Sequence, residues 1–315
     1  MRTLGSQIGR FLAHKRTVGF AYRREEGFLK EFRRFACSRQ EALLSEALAR
    51  EYLSRWTEAS RPNRLTVVRV LARFLAIDEP RTFVPPPRFL GIRRRRPVIH
   101  VFSREEAGQF LAACDVLSDV RPHPIGLVHG VALRTLLLTG LRRGELLALR
   151  DEDVDLSTAV LTVRHGKFGK SRYVPLAPDL VQRLRVYREA VSRTIAPARP
   201  TGAFFPRSQG QQPMACTTLY RAFRQTLKLA GIRHFGRGQG PRLHDLRHSF
   251  AVLRLLRWYE TGADLRVKLP LLATYLGHIG LTSSQVYLHL TEDFASELIR
   301  RQLDRFGDVI TEVVQ

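Results

Sequence analysis

Cysteine is scarce in this 315-residue chain: Cys37, Cys114 and Cys216 lie far apart and form no CxxC pair. That spacing supplies neither a disulfide framework nor a zinc ligand set, so no metal is expected and a reducing compartment fits best. Long apolar runs are missing as well. The opening MRTLGSQIGRFLAHKR is broken by polar and basic side chains, and the most apolar stretch, 131–141, is interrupted by Arg134. Neither has the length of a signal peptide or a membrane span, which predicts a cytoplasmic protein with no membrane partner. The glycine-rich string Gly236-Arg237-Gly238-Gln239-Gly240 has no βαβ unit around it, so it is not a dinucleotide fingerprint and no cofactor is expected. No internal repeat is evident.

Acidic residues are outnumbered: 52 lysines and arginines face 29 aspartates and glutamates, a net charge of +23. The excess is distributed, with 22 basic and 9 acidic residues in positions 1–100 and 30 and 20 in the rest. Both halves should therefore meet a polyanion, because counterion release favours nucleic acid for a folded chain this basic. Lysine is the rare cation, 6 against 46 arginines. A bias of that size reflects genome composition, so a single arginine carries little information and a lysine carries more.

At this length, with 44% hydrophobic residues, the chain can fill two cores. Residues 1–77 read as a helical domain of about four helices, with apolar positions at three- and four-residue steps in Phe28, Leu29, Phe32 and Phe35 and again in Leu65, Val68, Leu71 and Leu75. Residues 78–101 break every period with Pro85-Pro86-Pro87 and Arg93-Arg94-Arg95-Arg96-Pro97, the composition of a stiff, basic linker. Ser103 and Glu106 have the spacing of a capping box that opens the second domain, 102–291. Within it, residues 126–150 read as two helices around Thr139-Gly140. Residues 159–164 and 171–176 alternate as a hairpin, and the chain after residue 178 is mainly helical. The expected fold class is mainly α with a small antiparallel sheet.

Candidate chemistry is concentrated in the C-terminal half. The strings are Thr139-Gly140-Leu141-Arg142-Arg143-Gly144-Glu145, Gly166-Lys167, His244-Asp245-Leu246-Arg247-His248 and Leu276-Gly277-His278, with Tyr287 nine residues further on. Two guanidiniums match phosphate geometry and can meet the charge that builds on a phosphodiester under attack without a metal. An ammonium can protonate a leaving oxygen, which an arginine with its high pKa cannot easily do. A phenol can serve as nucleophile and as leaving group.

Together and in this order, roughly over residues 100–295, these motifs resemble the tyrosine recombinase family, the phage integrase type of DNA-breaking and rejoining enzyme. The resemblance implies a helical, core-binding (SAM-like) DNA-binding domain followed by an integrase-type catalytic domain. It implies a catalytic set of Arg142, Lys167, His244, Arg247, His278 and Tyr287, with Tyr287 forming a 3′-phosphotyrosyl intermediate. By spacing, Glu145, three residues after Arg142, can share its face and pin its guanidinium, the alternative being a helix-surface ion pair. Lys170 shares the hairpin turn, and because Phe168-Gly169 departs from the family's small-polar pair, Lys170 stays open as the alternative acid. His248 is expected to pack beneath the His244 helix, and Tyr275, on the wrong side of the Leu276-Gly277-His278 string, to belong to the core. The expected partners are double-stranded DNA and a homo-tetramer on two DNA sites, with sister recombinases beside it, in a nucleoid-associated bacterial setting. The segment between Arg247 and His278, with Trp258-Tyr259 and Lys268-Leu269-Pro270-Leu271-Leu272, is longer than in the compact chromosome-dimer-resolving members. It looks more like the enzymes of transposons and other mobile elements. A topoisomerase-like relaxing enzyme, or a catalytically silent DNA-binding accessory protein, are the alternatives. Residues 292–315 carry an apolar stripe, Phe294, Leu298, Ile299, Leu303, Phe306, Val309 and Ile310, which packs on its own domain or, as the resemblance implies, docks on a neighbouring protomer.

Overall fold

The computed structural model describes residues 4–20, 22–92, 98–117, 124–164, 171–194, 202–207, 210–236 and 240–277. The chain divides into two compact units, Met1–Arg96 and Pro97–Gln315. The expected class holds: the described residues are mainly helical with small antiparallel sheets.

The first unit is built from α1 (Leu4–Thr17), α2 (Arg23–Ser38), α3 (Glu46–Ser54) and α4 (Arg61–Asp78). Helical spacing puts Leu29, Phe32 and Phe35 of α2 on the face that meets Leu65, Val68, Leu71 and Leu75 of α4, and all of these are buried. Ser45 caps α3 by accepting from the Leu48 N–H at 3.1 Å. Arg64 enters this core with its guanidinium 3.4 Å from the Trp56 ring centroid and a 2.9 Å ion pair to Glu31. Much of the proline-rich stretch expected as linker is held by this unit. The Arg69 guanidinium donates to the carbonyls of Pro85 and Pro86 at 2.7 and 2.6 Å, the Phe83 N–H donates to Leu44, and Phe89 and Ile92 are buried. Prolines lack an N–H but keep a strong acceptor, which arginines can use.

The second unit begins at α5 (Arg104–Val116), whose capping box joins Ser103 and Glu106 in both directions. Next come α6 (Ile125–Thr139) and the short α7 (Arg143–Ala148). A three-stranded antiparallel sheet then runs β1 (Val154–Asp155), β2 (Val160–Val163) and β3 (Arg172–Pro175), followed by α8 (Pro178–Thr194). The β2–β3 register pairs Val160 with Pro175 and Val163 with Arg172, so the expected hairpin is present, with residues 165–170 joining its strands. A second hairpin that the sequence pattern did not suggest, β4 (Pro206–Arg207) with β5 (Gly210–Pro213), precedes α9 (Cys216–Leu229), α10 (Leu243–Glu260) and α11 (Leu265–Leu276).

Helix α6 is apolar nearly all round because it runs through the centre of the core, against α5, α8, α9 and α10. Its glycine at 130 lets α5 approach so closely that a Cβ there would sit 2.2 Å from the Cys114 carbonyl oxygen. Gly140 ends α6 in the left-handed conformation, φ 63°, with the Phe250 ring 2.5 Å from where a Cβ would be. Both demands, positive φ and no side chain, are met only by glycine. No described helix is long and apolar enough to cross a membrane.

Candidate functional site

Arg142 is the first residue after the α6–α7 break and caps α7. Its N–H donates to one carboxylate oxygen of Glu145 at 2.9 Å, and its guanidinium donates to the other at 2.8 Å. The Thr139-Gly140-Leu141-Arg142 string thus has a local logic: Gly140 stops one helix, Arg142 starts the next, and Glu145 holds both ends of Arg142. Glu145 accepts from both the backbone and the guanidinium of Arg142. The second terminal nitrogen of Arg142 donates to the Gly277 carbonyl at 3.0 Å, and a quarter of the side chain, 25%, stays exposed.

Arg247 lies one turn into α10 and points inward, with only 2% of the residue exposed. Its guanidinium donates to the carbonyls of Gly140 at 2.7 Å and Leu276 at 2.5 Å. Arg142 is therefore the accessible guanidinium and Arg247 the buried one, although the motif pattern treats them alike.

A third arginine completes the arrangement, one the motif reading did not single out. Arg172, the first residue of β3, donates from both terminal nitrogens to the two oxygens of Glu145, at 2.9 and 2.8 Å, and from Nε to the Tyr275 carbonyl at 2.8 Å. Three consecutive carbonyls at the C-terminal end of α11, those of Tyr275, Leu276 and Gly277, are thereby each taken by a different arginine. Cations suit a helix C-terminus, where the last carbonyls lack partners and carry the negative end of the helix dipole. Gly277 adopts φ 67°, and a Cβ there would come within 3.1 Å of the Arg172 guanidinium.

Glu145 is nearly buried, and burial alone would raise its pKa. The hydrogen bonds from Arg172, from the Arg142 backbone and from the Arg142 side chain outweigh it and bring the carboxyl down to about 2. One buried carboxylate thus faces two guanidiniums, and the local charge is net positive.

His244 is exposed in the first turn of α10, and partial desolvation, with Arg247, Arg242 and Arg142 near it, lowers its pKa from the usual histidine value. That shift favours its neutral form, the form that can accept a proton. The His248 ring meets it edge to face, centroids 4.7 Å apart, and burial followed by the His244 neighbour pushes His248 down to about 4. Asp245, fully buried, secures this turn. It accepts from the Arg242 backbone and, through both oxygens, from the Arg242 guanidinium at 3.0 and 2.7 Å. Tyr275 stacks on Phe250 at 5.5 Å, and burial pushes its phenol up to about 12, in keeping with its expected core position.

The structure therefore gathers Arg142 and Arg247 at the end of α11, with Glu145 bonded to Arg142, and His244 lies near enough for the charges of Arg247 and Arg142 to lower its pKa. Lys167, its alternative Lys170, His278, Tyr287 and the 292–315 stripe lie outside the described residues. Arg172 sits at the start of one strand that flanks the lysine-bearing turn, and Gly277 directly precedes His278. No group of three metal-ligating side chains occurs among the described residues.

The comparison with known proteins agrees with the motifs. The model of the phage integrase family matches residues 100–293, so the chain belongs to that family and is a tyrosine recombinase. The putative integrase/recombinase y4rB of Sinorhizobium fredii is 32% identical, covering 98% of this chain and 99% of the relative. Tyrosine recombinase XerD of Pseudomonas aeruginosa is 32% identical over 67% of this chain and 64% of its own length. Among solved structures, the Tn1549 transposon integrase in complex with a circular intermediate DNA shares the fold, at 17% identity and a TM-score of 0.63, covering 91% of this chain and 95% of that one.

Proposed function

We propose that the chain is a site-specific DNA recombinase that cleaves and rejoins duplex DNA through a 3′-phosphotyrosyl bond, without a metal. The Tyr287 phenolate oxygen attacks the scissile phosphorus, the bond to the 5′ oxygen breaks, and Lys167 gives that oxygen its proton. Attack of a 5′ hydroxyl on the phosphotyrosine reverses the step on the same or a new partner strand, so no bond energy is lost.

The observation that carries this reading is the meeting of Arg142, which caps α7, and Arg247 of α10 at the end of α11, with His244 within reach of their charges. Arg142 offers the accessible guanidinium to a non-bridging oxygen. Arg247 adds its charge from beneath, where a low dielectric screens it little. His244, exposed, takes part in proton transfer at the nucleophile, and His278 donates to a second non-bridging oxygen.

The basic helical unit and the second unit both hold the duplex, and four protomers join two sites, the 292–315 stripe docking on a neighbour. The high coverage of a putative integrase/recombinase supports work on a mobile element. Mapping the DNA bound in cells supplies the site. In excess EDTA, a two-site substrate should then yield recombinant product. Relaxation of supercoils with no recombinant would favour a topoisomerase-like enzyme, and a strict need for magnesium at the cleavage step would overturn the metal-free mechanism.

A further inference from the structure

Arg172 joins three segments that the proposed reaction needs in register. It begins β3 and pairs with Val163 of β2, the last pair before residues 165–170 and their lysines. Its terminal nitrogens hold Glu145, which holds Arg142, and its Nε holds Tyr275, two residues before Gly277. A guanidinium is planar and presents all three nitrogens as donors, so its bonds tie the Glu145 carboxylate of α7 and the Tyr275 carbonyl of α11 to the strand that carries Arg172. Only 12% of the side chain is exposed, and Gly277 leaves it room by lacking a Cβ. A lysine could make one of these bonds but not the fork.

From this geometry we infer that Arg172 is a positioning residue: it holds the lysine-bearing hairpin in register with Arg142 and the end of α11, so that the general acid reaches the 5′ oxygen. The inference rests on the recombinase reading above. In this role Arg172 acts through Glu145, the Tyr275 carbonyl and its own strand rather than by touching DNA or the reacting atoms. Its loss should therefore damage proton delivery more than phosphate binding, and the defect should vanish when the leaving group needs no proton.

The test uses the full chain and a nicked suicide duplex bearing the site mapped in cells, made with either oxygen or sulfur at the 5′ bridging position. Arg172→Ala and Arg172→Lys should bind this duplex as wild type does. Both should cleave the oxygen substrate more slowly, on the order of 10-fold or more, and cleave the sulfur substrate at close to the wild-type rate. In a background that already lacks the acid, Lys167→Ala or Lys170→Ala according to which of them sulfur rescues, adding Arg172→Ala should cost no further factor.

A defect equal on both substrates, or one that multiplies with the lysine defect, would overturn the positioning role. Thermal melting checks folding. If Arg172→Ala does not fold, Arg172→Lys carries the test, since it keeps the charge and one bond to Glu145, and wild-type behaviour of this variant on both substrates would also overturn the role. A wild-type chain that cleaves neither duplex refutes the recombinase reading itself. A rescued lysine variant beside unrescued Arg172 variants refutes the positioning role alone.

Discussion

Replacing Glu145 with glutamine keeps the size of the side chain but removes the one negative charge between Arg142 and Arg172. The carboxyl falls from its ordinary 4.5 to about 2 in the folded chain, worth about 3 kcal/mol of stabilisation at neutral pH. Removing one partner of a buried pair costs about 3–5 kcal/mol, and the partial exposure of Arg142 argues for the lower end of that range. For a unit of this size, 3 kcal/mol corresponds to a drop in melting temperature of roughly 6–12 °C. The sign of the pH dependence follows from the lowered pKa: the carboxylate stabilises the fold fully above its unfolded value of 4.5, and that advantage is lost as pH falls toward about 2. Urea unfolding of wild type and Glu145→Gln, followed by far-UV circular dichroism from neutral pH down to about pH 3, measures the difference directly. A gap under about 1 kcal/mol at neutral pH, or a gap that does not narrow in acid, would refute the view of Glu145 as the charged centre of the arginine cluster.

Gly140→Ala should destabilise by about 3 kcal/mol, adding a left-handed penalty of about 1 kcal/mol to a steric clash with Phe250. A urea midpoint equal to wild type would contradict that packing. His248 should titrate near 4 by NMR, because burial and the His244 ring disfavour its charged form. It thus contributes stability that is full above its unfolded value of 6.5 and is lost as pH falls toward 4; a midpoint at or above 6.5 would contradict its placement. Asp245→Asn should loosen the first turn of α10 and lower DNA cleavage while costing about 3 kcal/mol or more, since Arg242 loses its only anionic partner among the described residues. Cleavage at the wild-type rate in a destabilised variant would show that this turn does not position His244.

Periodic features were legible in the sequence because they depend on neighbours a few residues away. The Ser103–Glu106 capping box, the β2–β3 hairpin, the helix break at Gly140 and the grip of Glu145 on Arg142 all follow from local spacing. Arg172 was not legible as a functional residue, since its partners Glu145 and Tyr275 are 27 and 103 positions away. A signal was nevertheless present: by the two-residue period of a strand, Arg172 shares the inward face of β3 with buried Val174, while Tyr173 faces out. A charged side chain on an inward face demands a buried partner. The burial of Arg247 and the hold of Arg69 on Pro85 and Pro86 are likewise tertiary, and the repeated arginines of this basic chain hide them. The β4–β5 hairpin went unread because its strands, of two and four residues, are too short for a period to show.

The central claim is that Tyr287 becomes covalently joined to DNA. Tyr275, the nearest rival in sequence, is stacked on Phe250 with its phenol pushed up to about 12 by burial, a poor nucleophile at neutral pH. Wild-type protein trapped on the nicked suicide duplex, digested with protease and sequenced by mass spectrometry, should yield a nucleotide adduct on the peptide that contains Tyr287, and Tyr287→Phe should bind the duplex yet yield no adduct. An adduct on Tyr275, or trapping that survives in Tyr287→Phe, would contradict the account.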